Sequence, residues 1–147
     1  MAKENFSEKD QAQIVAAIQA AEKETSGEIR VHIEAHVATD PMDRAKEIFF
    51  ELGMHQTAQK NAVLIYLAYN NQKLAIIGDA GIHEKVGDDF WRSEKDLLIS
   101  YFKKNEYALG LAKAIEKVGE KLKVYFPYQT DDKNELNDAI SFGGKHD

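Results

Sequence analysis

Cysteine is missing from all 147 residues. Disulfides, thiol nucleophiles and cysteine-ligated zinc are therefore excluded. No stretch approaches the roughly 20 apolar residues that cross a bilayer. The opening MAKENFSEKD has no apolar signal core. As written, the chain is expected in the cytoplasm with no membrane insertion, or outside it as a trimmed, exported form. Positive charge is also in short supply. Lys and Arg number 19 against 25 Asp and Glu, a formal net charge of −6 with a pI near 5.4. A nucleic-acid partner, which needs a basic face, is not expected. Most familiar phosphatase and nucleotide motifs are absent as well. There is no GxxxxGK[ST] loop, no Asp-x-Asp after a strand and no EF-hand loop. Ser26 has no GxSxG context.

What remains is an ordinary globular mix, 44% hydrophobic and 30% charged, long enough for one core. Residues 1–128 read as one domain and 129–147, QTDDKNELNDAISFGGKHD, as a polar tail. Ser7 with Asp10 resembles a capping box opening a first helix. That helix carries Ile14, Val15, Ile18 and Ala21 on one face and is expected to end at Gly27 in the C′ role. EIRVHIEAHV then alternates as a strand. Its Glu28, Arg30, His32, Glu34 and His36 are expected on a wet or partly covered face, as on an edge strand. Asp40 and Pro41 start a second helix, which Gly53 ends. NAVLIYLAY is apolar throughout, the mark of a strand buried on both faces. KLAIIGD pairs with it as a hairpin through the turn NNQ. Two longer helices follow. One carries Trp91, Leu97, Leu98, Tyr101 and Phe102, the other Leu111, Ile115, Val118 and Leu122. The first two strands cross over through a helix and are expected to be parallel, with the third antiparallel to the second. The predicted architecture is an α/β three-layer α/β/α sandwich around a small mixed, Rossmann-like sheet.

The stretch IIGDAGIHEKVGDDFW places three aspartates and three glycines where a buried strand surfaces. The predicted topology brings the end of strand 3 to the rim where strands 1 and 2 begin. Asp79, Asp88, Asp89, Glu28 and Asn61 thus become candidate ligands of one divalent cation. They are hard oxygen donors suited to calcium, or to magnesium or manganese. The same residues also read as plain cap and turn chemistry. Asp79 caps a short helix, Asp88 or Asp89 caps the next, and Gly87 serves as a C′ residue. Elsewhere, His32 and His36 stand about 13 Å apart on one strand face and cannot share an ion easily. His55, His83 and His146 read as surface residues. Asp40 and Asp43 are a weaker acidic pair at the opposite rim. The Lys113, Lys117, Lys121 and Lys123 set reads as a solvated helix face.

SGEIRVHIE, NAVLIYLAY, KLAIIGDAGIHEKVGDDFW and YALGL, in this order and spacing, resemble the TPM domain family over about residues 7–124. The resemblance implies an α/β/α sandwich and a divalent-cation site, calcium first, near the loops after strand 3. Some relatives in that family are assigned acid phosphatase activity or a part in photosystem II repair in the thylakoid lumen. Here His83 stands where the family usually has Glu, and no signal or anchor is present. Three functions therefore stay open. They are a cation-binding accessory module with an unknown protein partner, a metal-assisted acid phosphatase acting through Asp79 and Asp88, and a scaffold without a metal. A monomer is expected.

Overall fold

The structure is a computed structural model that describes residues 6–128 and 139–143, and all of these except Asp88 in their side chains. The elements run α1 (Glu8–Glu22), β1 (Glu28–Glu34), α2 (Pro41–Glu51), β2 (Ala62–Ala68), β3 (Lys73–Gly78), α3 (Ala80–Val86), α4 (Arg92–Phe102), α5 (Tyr107–Tyr125) and β4 (Ser141–Phe142). Short 3₁₀ turns occupy Met54–Gln56 and Asp88–Trp91. The sheet order is β3-β2-β1-β4. β1 and β2 are parallel and β2 and β3 antiparallel, as the crossover and hairpin signals require. Helices cover both faces, giving the three-layer α/β/α sandwich.

Local chemistry explains most boundaries. Ser7 Oγ accepts from Asp10 N at 3.0 Å, and the Asp10 carboxylate accepts from Ser7 N at 3.2 Å, completing the capping box. Asp40 Oδ1 accepts from Met42 N at 2.8 Å, with Pro41 at the first helical position. Every residue of β2 is buried, because the strand has a helical layer on each side. The larger core lies between the sheet and α1, α4 and α5. It holds Ile14, Ile18, Val31, Ile65, Leu98, Ile115 and Leu122 among others. The smaller one lies under α2 and includes Ile48, Phe49, Leu64 and Tyr66.

Four expectations need correction. β1 is not an edge strand, because β4 pairs with it at His32 and Ile33. Its polar face is not wet either. Glu28, His32 and Glu34 are all at most 5% exposed, with Arg44 of α2 bonded to Glu34 and β4 beside His32, whereas His36 beyond the strand is exposed. The first helix stops at Glu22, well before Gly27. Gly27 is instead a packing position, where a Cβ would stand 2.9 Å from a Leu122 methyl. The polar C-terminal segment contributes β4 at Ser141–Phe142. Residues 129–138 and 144–147, including His146, lie outside the described residues.

Candidate functional site

The pairing register sets Glu28, Ala62 and Asp79 side by side on three adjacent strands at one rim of the sheet. Glu28 is paired with Ala62, and Asp79 N donates to Ala62 O at 2.9 Å. Glu28 N donates to Asn61 O at 3.4 Å. Glu28, Asn61 and Asp79 therefore share this rim in backbone position. Their states differ. Glu28 is buried. Asn61 is buried too, but its side-chain amide turns to Ser26 Oγ at 3.5 Å. Asp79 caps α3 through Oδ1, which accepts from Ala80 N at 2.7 Å. Its other oxygen, Oδ2, is buried without a hydrogen-bond partner among the described residues. Gly81 makes this geometry possible. A Cβ there would run into the carbonyls of Gln59 and Lys60, so only glycine lets α3 rest on the backbone that leads into β2.

Asp89 stands apart. It rides on the 3₁₀ turn, its side chain is 82% exposed, and it pairs with Arg92 at 3.3 Å. The Asp88 side chain lies outside the described set. Neither the 3₁₀ turn nor α4 has a side-chain cap, so Asp89 does not take the capping role that its position suggests. Among the described residues, no group of three or more His, Asp or Glu is placed to hold a metal.

The 3₁₀ turn is held from behind. Lys121 Nζ donates to Phe90 O, lies 2.8 Å from Glu94 Oε1 and sits 4.6 Å from the Phe90 ring centroid. Glu94 is 3% exposed and the Lys121 side chain 30%, so the carboxylate end of this ion pair is buried. Lys121, expected on a solvated face, is a structural cation. Without the lysine a carboxylate would be costly at that depth, and the pairing offsets that cost.

A second polar cluster went unread in the sequence. Glu34 accepts from Arg44 through both carboxylate oxygens, at 3.0 and 3.1 Å. It also accepts from the Tyr66 hydroxyl, and His32 Nε2 lies 3.2 Å from its Oε1. His32 Nδ1 is 2.8 Å from Ser141 Oγ, and its ring is stacked on Tyr66. Burial pushes the Glu34 carboxyl up, but the bonds from His32, Arg44 and Tyr66 outweigh it and hold the pKa at about 2. Burial, then the bond to Glu34, pushes the Tyr66 hydroxyl up. An ionised Glu34 can only accept, so His32 Nε2 donates to it. Gly143 closes the cluster, because a Cβ there would collide with Glu34 Oε1 and His32 Nε2. The available signal was a charged row within a strand flanked by apolar ones, with an arginine one turn into the next helix.

The profile of the TPM domain family matches residues 2–121. The chain belongs to the TPM domain family. Among solved structures it is similar to the BA42 protein of the psychrophilic bacterium Bizionia argentinensis. That pair is 43% identical over 94% of this chain and 95% of the other, with a TM-score of 0.88. Two further TPM-like folds are more distant. The N-terminal domain of cg2496 from Corynebacterium glutamicum is 17% identical over 97% of this chain and 82% of that one, TM-score 0.60. The N-terminal domain of a P. gingivalis protein is 17% identical over 82% and 78%, TM-score 0.65, and like cg2496 it supports the fold alone. No curated protein matches. Among the described residues no helix of this TPM domain is long and apolar enough to cross a membrane.

Proposed function

We propose that this TPM domain binds a divalent cation, calcium first, at the rim formed by Glu28, Asn61 and Asp79. Asp88 and Asp89 follow on the 3₁₀ turn after α3. The domain then works as an accessory module whose loops are tied together by the ion. The observation that carries this reading is Asp79 Oδ2, a buried carboxylate oxygen with no hydrogen-bond partner among the described residues. A buried polar atom left unmatched is unfavourable by about 1–3 kcal/mol, more if charged, and a hard cation offsets that directly. Capping alone does not account for it, because the cap uses only Oδ1.

The test is an amide NMR titration of chelator-stripped protein with calcium, repeated with magnesium and manganese. Saturable shifts at residues 78–81 and 87–89, lost in Asp79→Asn, are the expected result. Shifts scattered over the acidic surface, or none at all, return the aspartates to turn chemistry. The loaded sample is then assayed with a generic phosphomonoester. Turnover that Asp79→Asn abolishes would replace the accessory module with a metal-assisted phosphatase.

A further inference from the structure

β3 is an edge strand with no further strand paired to it among the described residues, and two depressions lie along it between α2 and α4. One part, of about 410 Å³, lies over Pro41, Lys73, Leu74 and Ile99. The other, of about 680 Å³, lies over Met42, Lys46, Ile77, Gly78 and Trp91. The two adjoin at Asp89 and Lys95, one at each end of the strand.

The trough has the opposite charge from the chain that carries it. Lys46, Lys73, Arg92 and Lys95 line it against Asp89 and Asp96, a balance of four cations to two anions in a protein of net charge −6. Arg92 is engaged by Asp89. Lys46, Lys73 and Lys95 make no ion pair and no side-chain hydrogen bond among the described residues, although Lys95 is half-buried. Three ammonium groups without an ion-pair partner among the described residues, beside Leu74, Ile77 and an exposed Ile99, are matched by a ligand that alternates acidic and apolar side chains.

The backbone adds a second term. Asp79 and Ala62 form a hydrogen-bonded pair. The antiparallel alternation therefore turns the N–H and C=O of Gly78, Ile76 and Leu74 toward the open edge. Ile76 is covered at 2% exposure, but Leu74 and Gly78, at the two ends, are half-buried. We propose that this groove docks an extended acidic peptide segment of a partner protein, laid along β3. Its main chain bonds at Leu74 and Gly78, and its carboxylates meet Lys46, Lys73 and Lys95. A strand covering β3 contributes about six residues, one for each residue of that strand. None of the three lysines belongs to the proposed cation site, but Asp89 lines the trough as well, so the peptide titration is made on chelator-stripped protein.

The test uses the full chain, isotope-labelled, titrated with a capped hexapeptide alternating glutamate and valine at low salt. Saturable amide shifts confined to residues 73–78, the start of α4 and the α2 turn at Lys46 are expected, with affinity falling steeply as salt is added. The double variant Lys46→Glu, Lys95→Glu is expected to bind roughly tenfold or more weakly, as charge reversal at an interface does. Both positions are on helix surfaces, and dispersed amide spectra establish that the variant folds. The Lys46→Gln, Lys95→Gln pair gives an intermediate loss. Four results overturn the proposal. They are no saturable shift, equal binding of the glutamine–valine peptide, equal shifts from inorganic phosphate at matched concentration, and the same shifts from concentrating the protein alone. The last two identify a small-anion site and a second copy of this chain.

Discussion

Acid is expected to weaken this fold through one carboxylate before any other described here. Glu34 is 5% exposed and has its pKa held at about 2 against an ordinary 4.5. Its folded value lies below its unfolded one. It therefore stabilises the fold fully above about pH 4.5, and that contribution disappears as pH falls toward 2. The interval corresponds to about 3 kcal/mol, at about 1.4 kcal/mol per tenfold change in proton affinity. Glu34→Gln removes the charge and keeps the shape. It leaves Arg44, 28% exposed at its side chain, without its anionic partner. Breaking a fully buried ion pair costs about 3–5 kcal/mol, and the partial exposure of Arg44 brings the expected loss at pH 7 to about 2–3. Urea unfolding of both proteins, followed by circular dichroism at pH 7, 5, 3.5 and 2.5, reads the difference directly. Other carboxylates titrate in both proteins and cancel in the comparison. The gap should be widest at pH 7 and close as pH drops. A variant within about half a kcal/mol of the parent at pH 7, or a gap that stays constant to pH 2.5, refutes the buried network as a stabilising unit.

Lys121→Met strands the Glu94 carboxylate and frees the 3₁₀ turn behind the candidate site. A loss of about 2–3 kcal/mol is expected in urea melts. The single tryptophan, Trp91, is 5% exposed and lies on that turn, so its emission should shift to the red. Gly143→Ala drives a methyl into His32 and Glu34. It should unpair β4, seen as faster amide exchange at Phe142 and Gly143→Ala itself, with a loss of roughly 1–3 kcal/mol.

The elements with local signatures were legible. Ser7 with Asp10 and Asp40 with Pro41 announce their helices, because a cap is chemistry between residues two or three apart. The run from Ala62 to Ala68 announces a central strand, because burial on both faces leaves no polar position. Strand directions followed from the helical crossover and the hairpin turn, and with them the placing of Glu28 and Asp79 at one rim of the sheet. The rest depends on contacts distant in sequence. β4 is two residues long and carries no period; what makes it a strand is His32, 109 positions away. The charged row of β1 looked solvated because the rule that charges face water gives way when Arg44 and Tyr66 satisfy Glu34 inside the fold. Asp89 looked like a cap, but Phe90 and Trp91 bury themselves with Lys121, and this packing tightens the turn before α4 begins.

The late arrival of β4 has a consequence for a chain made from its N-terminus. β1, β2 and β3 are all available to pair once residue 78 has emerged, yet the strand that covers the far side of β1 comes more than sixty residues later. Until then His32 and Ile33 present an uncovered edge to neighbouring chains on the same messenger, at the stage when such edges are most prone to mispairing. The ion pair between Glu34 and Arg44 needs nothing beyond α2, so it is already in place beside that edge. Two charges at the mouth of an open strand discourage a foreign strand from adding there. Charged neighbours of the residues that later receive Ser141 and Gly143 thus guard the nascent sheet while it waits for them.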